Sequence, residues 1–168
     1  MTGEITVRPQ RPGDGARLAR AWLDAGRYYA ELAPDTFQVP RLEGLEEFMD
    51  RDGTISDEPD VLQLVAEVGG RVVGAAAARI EAPVEGAEYQ LQRQFAETRL
   101  FVDAVIVEEA HRRSGVGQRL MAALEEWGRE RGATVSLLDT YPESALSLPF
   151  FTERMGYGRR SVRLWKRL

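Results

Sequence analysis

Cysteine is absent from this 168-residue chain, and histidine occurs once, at His111. No disulfide framework, thiolate nucleophile or Cys-based metal site can form, and one imidazole cannot make a cluster of histidine ligands. Metal chemistry is therefore not expected, and an acyl-enzyme carried on sulfur is excluded. Long apolar runs are missing too, since no stretch approaches the roughly 18 residues of a membrane span. The opening Met1 to Pro12 has no apolar h-region, which leads to the expectation of a cytoplasmic protein with no membrane partner. Positive charge is in deficit: 22 Lys and Arg stand against 27 Asp and Glu, a formal charge of −5 that argues against binding nucleic acid through the whole surface. There is no internal repeat or low-complexity tract. What remains is 43% hydrophobic and 29% charged, the composition of a globular chain long enough for one core, and residues 1–168 are expected to form a single domain.

Periodicity places the elements. Ile5 and Val7 before Pro9 predict a short first strand, and Asp14 is a candidate N-cap for a helix with Leu18, Ala21, Trp22 and Ala25 on one face, ending between Gly26 and Tyr29. Leu42, Leu45 and Met49 predict a second helix over Leu42 to Asp50. Val61 to Val68 and Arg71 to Glu81 read as two strands of a hairpin, because Gly69-Gly70 accepts the positive φ angles of a tight turn. Ala82 to Glu97 is polar and open to either a plain loop or one with a helical turn around Tyr89 to Phe95; Leu100 to Val107 is the next strand. From Ser114 to Gly132, Val116, Leu120, Leu124 and Trp127 make one apolar stripe, with Ser114 a candidate cap and Gly132 a natural stop. Val135 to Asp139 then completes a β-α-β unit whose strands run parallel. A last helix begins near Ser147, with Pro149 in its first turn, and ends at Met155-Gly156; Ser161 to Lys166 is expected to be a final strand.

The most informative stretch is Val105-Ile106-Val107 followed by Glu108 to Arg113, then Ser114-Gly115-Val116-Gly117-Gln118. Glycines between a strand and a helix let backbone N–H groups approach phosphate oxygens, and the helix start adds unsatisfied donors with a partial positive charge. A dinucleotide fingerprint would need a third glycine at position 120, which is Leu120, and a Walker loop would need Gly-Lys-Ser/Thr, which is missing.

Arg112-x-x-Gly115-x-Gly117 between strand and helix resembles the pyrophosphate loop of the GCN5-related N-acetyltransferase (GNAT) family, Gln/Arg-x-x-Gly-x-Gly/Ala. Ser144-x-x-Ser147-x-x-Phe150-Phe151, before Gly156-Tyr157, resembles a second family signature, Asn-x-x-Ala-x-x-Leu-Tyr before Gly-Phe. The resemblance covers most of the chain. It implies an α/β (α+β) fold with a mixed, mostly antiparallel sheet, a central parallel strand pair and flanking helices. It also implies transfer of an acetyl group from acetyl-CoA to a primary amine by direct attack in a ternary complex, the acceptor being a small molecule or a peptide, and the protein a monomer or homodimer.

Carried over by position, the resemblance assigns diphosphate binding to the backbone of Arg113, Ser114, Gly115, Val116, Gly117 and Gln118, and contacts to the pantetheine arm to the main chain of Val105, Ile106 and Val107. Arg112 and Arg113 are either ordinary exposed arginines or attractors of the 3′-phosphate of CoA. Two departures stand out. At two further positions that the resemblance assigns to cofactor binding, the family's asparagine, which can bond the cofactor arm, is Ser144, and its tyrosine, often the acid that reprotonates the leaving thiolate, is Phe151, or Thr152 with a shorter spacing; neither Phe151 nor Thr152 carries a phenol. Tyr141 is the nearest substitute, and Asp103, four residues before Val107, is the best-placed base; the alternatives are a partly buried surface aromatic for Tyr141 and an edge-exposed carboxylate without a role for Asp103. The N-terminal aromatics Trp22, Tyr28, Tyr29 and Phe37 either shape an acceptor pocket or belong to the core. The basic run Arg159, Arg160, Arg163, Lys166 and Arg167 either guards an edge strand or attracts an acidic surface. Phe151 motivates the competing class, a CoA-binding sensor or scaffold without turnover.

Overall fold

The computed structural model describes residues 3–51, 58–166 and 168; Arg167 of the basic run lies outside them. Five strands form one sheet in sequence order: β1 (Ile5–Pro9), β2 (Val61–Val68), β3 (Arg71–Glu81), β4 (Arg99–Val107) and β5 (Val135–Leu138). The first four pair antiparallel and β4 pairs parallel with β5, the mixed sheet expected from the sequence. The alternation of β2 and β3 explains how the sheet is covered. Leu64, Ala66, Val73, Ala76 and Ala78 face one core, completed by Leu120, Met121, Leu124 and Trp127 of helix α3 (Val116–Glu130). Val65 and Val72 face the other, against Leu18 and Ala19 of α1 (Gly15–Leu32) and Met49 of α2 (Leu45–Arg51). Each face thus buries its apolar side chains under helix.

Several boundaries differ from the sequence reading. Helix α1 runs on to Leu32 instead of ending by Tyr29, because Gly26 is not a stop: a Cβ there would lie 2.2 Å from Pro40 Cδ, so this glycine admits the returning chain. Asp14 precedes the helix without capping it. Its carboxylate turns back to Arg8, at 2.8 and 2.9 Å, and to the Arg11 N–H, while Asp50 Oδ1 of α2 accepts the Gly15 N–H at 2.7 Å. Residues 82–97 hold two short 3₁₀ turns, Ala87–Tyr89 and Arg93–Ala96. The last helix α4 (Ser147–Pro149) widens into a π-helical turn over Phe150–Arg154. The expected strand over 161–166 does not form: these residues make no ladder and every side chain from Gly158 to Lys166 is exposed, since alternation alone cannot make a strand without a paired edge.

Among the described residues no helix is long and apolar enough to cross a membrane, and no three potential metal-ligating side chains cluster.

Candidate acyl-donor and amine site

The site begins at an irregularity in β4. Ala77 pairs with Ala104 but Ala78 pairs with Val102, so Asp103 is an extra, bulged residue. Before it Leu100 and Val102 face the α3 core; after it Val105 and Val107 do, so the bulge reverses the strand's parity. The last β4–β5 pair is Val102 with Leu138, and beyond it the two strands separate. From Asp103 to Val107 one edge of β4 therefore carries main-chain groups with no β5 partner, in the stretch singled out as Val105, Ile106 and Val107.

At the upper end of this opening the chain turns through Glu109–His111 into α3. Arg113 has φ of +62° and Gly115 of +93°. Two left-handed residues either side of Ser114 turn successive N–H groups toward a common concavity, and holding arginine there costs about 1 kcal/mol. The result is six consecutive N–H groups, from Arg113 to Gln118, with no acceptor among the described residues. Ser114 does not cap the helix as anticipated. Its Oγ donates to the His111 carbonyl at 2.6 Å, which braces the turn and leaves Gly115 at the N-cap. Gly117 is constrained by packing: a Cβ would come within 3.2 Å of the Phe150 ring. Below the turn, buried Glu108 accepts from Arg71 at 3.0 Å, and Arg71 also bonds His111 Nε2 at 2.8 Å, so His111 is part of the scaffold.

Helix α1 bridges the two banks of the opening. On the β4 side, Asp24 Oδ2 accepts the Glu109 N–H at 3.1 Å. On the β5 side, the Tyr28 hydroxyl lies 3.0 Å from Ser144 Oγ and accepts the Leu146 N–H at 3.3 Å, and the Tyr29 hydroxyl donates to Ser147 Oγ at 3.0 Å. Between these anchors lie two adjoining cavities. One, of about 150 Å³, is lined by Asp24, Arg27, Tyr28, Glu31, Glu109 and Arg112; the other, of about 270 Å³, by Glu109, Arg112, Arg113 and Leu146. The first is rich in carboxylates and the second in guanidinium groups. Asp24, Tyr28 and Glu31 recur at helical spacing, but only Tyr28 stood out in the sequence, because the two carboxylates look like ordinary solvated helix surface.

The remaining candidates are distributed unevenly. Asp103 is exposed and forms an ion pair with Arg79, whose guanidinium also stacks 4.2 Å from the Phe101 ring centroid and bonds Glu81 at 3.2 Å. Tyr141 packs edge-on against Phe37, which in turn contacts Tyr29, so the N-terminal aromatics reach the loop after β5. Ser144 is 2% exposed, and its Oγ also accepts the Ser147 N–H at 3.0 Å, capping the final helix. Phe151 is buried against Phe150 and Tyr157 in the α3 core. The Arg112 Nε donates to the Val107 carbonyl at 3.3 Å, which carries its guanidinium over both cavities.

A five-stranded mixed sheet opened at a parallel pair, with a donor-rich turn at the helix start, defines an α+β protein with an anion-ready site at the mouth of its sheet. The model of the acetyltransferase (GNAT) family matches residues 25–157, and the chain belongs to that family. Probable N-acetyltransferase HLS1 of Arabidopsis thaliana is 32% identical over 114 residues, 61% of this chain and 28% of that protein. The chain spans less than a third of the length of the curated relatives it matches. A mutant of the BH1408 protein of Bacillus halodurans superposes with a TM-score of 0.75 at 13% identity, covering 97% of this chain and 99% of that one. Aminoglycoside N-acetyltransferase AAC(6')-Iy, solved in complex with CoA, does so with a TM-score of 0.61 at 18% identity, covering 100% and 97%. At these identities the structural likenesses establish the fold.

Proposed function

We propose that residues 1–168 act as one acyltransferase domain that moves an acetyl group from acetyl-CoA to a primary amine, by direct attack with both substrates bound. The observation that carries this reading is the run of six unaccepted N–H groups, Arg113 to Gln118, on the start of α3 beside an opened strand pair. Such a run fits a diphosphate, whose oxygens accept several N–H bonds at once. Arg112 and Arg113 add charge for the 3′-phosphate, and the unpaired main chain of Val105, Ile106 and Val107 fits the amides of the pantetheine arm. Ser144 and Phe151 support the groove from behind, since one is occupied in capping and the other is packed in the core. The Asp24, Glu31 and Glu109 carboxylates of the smaller cavity favour a cationic acceptor, of the kind named for the structural neighbour acting on aminoglycosides.

In this reading Asp103, paired with Arg79, receives the proton of the attacking ammonium through water. Tyr141 returns a proton to the leaving thiolate. Most of the acceleration comes from holding amine and thioester together and from N–H groups polarising the carbonyl. A second reading, a CoA-binding sensor without turnover, is favoured by one fact: Phe151 carries no titratable proton and is buried.

Release of free thiol from acetyl-CoA, followed with a thiol reagent across aminoglycoside, polyamine and lysine-peptide acceptors, separates the two. The chain has no cysteine, so the protein adds no background. Amine-dependent release supports transfer, and binding of acetyl-CoA with no release for any amine supports the sensor.

A further inference from the structure

His111 is the chain's single histidine, and it lies in the turn that aims the six free N–H groups. It belongs to a polar cluster that lines neither cavity. Arg71, the first residue of β3, donates to Glu108 Oε2 at 3.0 Å, and the same nitrogen lies 2.8 Å from His111 Nε2. A guanidinium has donors only, so Nε2 must accept, and the imidazole in this contact is neutral with its proton on Nδ1. Nε2 is also 3.8 Å from Glu108 Oε2, one small ring movement from a hydrogen bond. The cluster is joined to the turn at both ends. Glu108 is buried, and its N–H donates to the Val73 carbonyl at 2.8 Å, which ties the start of the turn to β3. The His111 N–H returns to the Glu108 carbonyl at 2.9 Å, while the His111 carbonyl accepts Ser114 Oγ at 2.6 Å, between the two left-handed residues Arg113 and Gly115. His111 thus has Arg71 on its ring and the diphosphate turn on its backbone.

Gaining a proton reverses the sense of the ring contact. Nε2–H would face an N–H of Arg71 at 2.8 Å, donor to donor and cation to cation, and that bond is lost. The Glu108 carboxylate is the partner an imidazolium turns to, so the ring shifts and carries the His111 backbone with it. Other charges bear on the ring from the elements around it. Arg17 of α1 reaches the Gly70 carbonyl at 3.3 Å beside Arg71, Asp24 of α1 accepts the Glu109 N–H at 3.1 Å, and Arg112 and Arg113 follow in sequence. Glu108 and Asp24 favour the imidazolium, and the four arginines oppose it. Two consequences for a bound phosphate differ in sign. An added positive charge alone would strengthen its binding through space, weakly and subject to screening by salt. A turn that loses its brace spreads the aim of its N–H groups and weakens binding, and because hydrogen bonds depend steeply on direction this second effect is the larger.

We propose that His111 is a positioning residue for the diphosphate turn: its neutral ring, held by Arg71, keeps the N–H groups of Arg113 to Gln118 aimed together, and acidification below about pH 6 releases them. This role presupposes that the turn holds a diphosphate. Calorimetric titration with 3′-dephospho-CoA between about pH 5 and pH 8 tests it, because the diphosphate of that ligand, unlike the 3′-phosphate of CoA, holds its charge over the range. Wild-type affinity is expected to fall by about fivefold or more from the alkaline to the acid end. His111→Gln, whose amide oxygen takes the place of Nε2 at any pH, should keep the alkaline affinity throughout, and His111→Phe should be uniformly weak. Wild-type affinity that is level or rises with acid overturns the proposal. So does His111→Gln with the wild-type slope, which would put the titrating group elsewhere. The backbone amide resonances of Ser114 to Gln118 in the ligand-free protein give a second readout. They should move in step with the His111 ring in the wild type and stand still in His111→Gln; amides that ignore the ring overturn the proposal. No binding at any pH, with the amides still following the ring, would fault the diphosphate reading and leave the coupling of His111 to the turn in place.

Discussion

Gly115 illustrates how much of this site is backbone. Its φ of +93° falls where an L side chain is strained, yet an added Cβ would meet nothing closer than 3.8 Å, at Ile5 Cδ1. Gly115→Ala therefore probes conformation without a clash. It should lower stability by about 1–2 kcal/mol and weaken acetyl-CoA binding as the N–H groups of the turn lose their common aim, changes that denaturant unfolding and calorimetric titration would register. Asp103 tests the chemistry instead. Asp103→Asn keeps the shape of the bulge but cannot take a proton, so kcat should fall by about a hundredfold or more with little change in acetyl-CoA affinity; an unaltered rate would remove Asp103 from the mechanism. Both residues stood out in the sequence, one because special backbone needs a special residue type and the other because a carboxylate in an apolar strand is conspicuous; the structure gives the first a positive φ and makes the second the bulge of β4. Asp24 and Glu31 could not, since a charged side chain on an amphipathic helix looks like solvated surface until the opposing loop is known.

Helix α1 is held at each end by polar contacts that stability measurements can separate. At its start Asp14 lies between opposing influences: burial raises its pKa, while hydrogen bonds from Arg8 and the Arg11 N–H, with the nearby positive charge, more than offset this and hold it below the usual carboxylate value. A depressed folded pKa stabilises the native state above the unfolded value near pH 4, and that contribution fades as pH falls through the folded value. Asp14→Asn should therefore lower the unfolding midpoint at neutral pH and flatten its fall below about pH 4, as thermal melts against pH would show. At its far end Tyr28→Phe deletes the hydroxyl that joins Ser144 and Leu146, and should cost about 1 kcal/mol and loosen the bridge over the groove, visible as faster hydrogen exchange at Leu146. Strands β2 to β4 and helix α3 were legible because each shows a clean period of two or about three and a half against a turn. The end of α1 was not, because Gly26 reads as a stop when its purpose is contact with Pro40. Nor was the π turn after Pro149, which depends on how Phe150 and Phe151 pack, or the fate of residues 161–166, which depends on an edge that local pattern does not reveal.

Taken together, the sheet is a frame with a helical layer on each face and one deliberate opening. The bulge at Asp103 reverses β4, β5 departs after Leu138, and α3 starts at the mouth with its donors free, so three separate deviations from regular structure converge on one groove. Helix α1 lines the groove from the opposite face, where Asp24, Arg27, Tyr28 and Glu31 meet Glu109 and Arg112. Equilibrium unfolding of the full chain with acetyl-CoA, CoA and NAD in parallel tests this arrangement most directly. At about 100 times its dissociation constant a ligand adds roughly 2.7 kcal/mol. A midpoint raised by several degrees with both CoA species, reduced in Gly115→Ala, and unmoved by NAD is the predicted result. No shift with either CoA species at millimolar concentration, or an equal shift with NAD, would contradict a groove built for a CoA thioester.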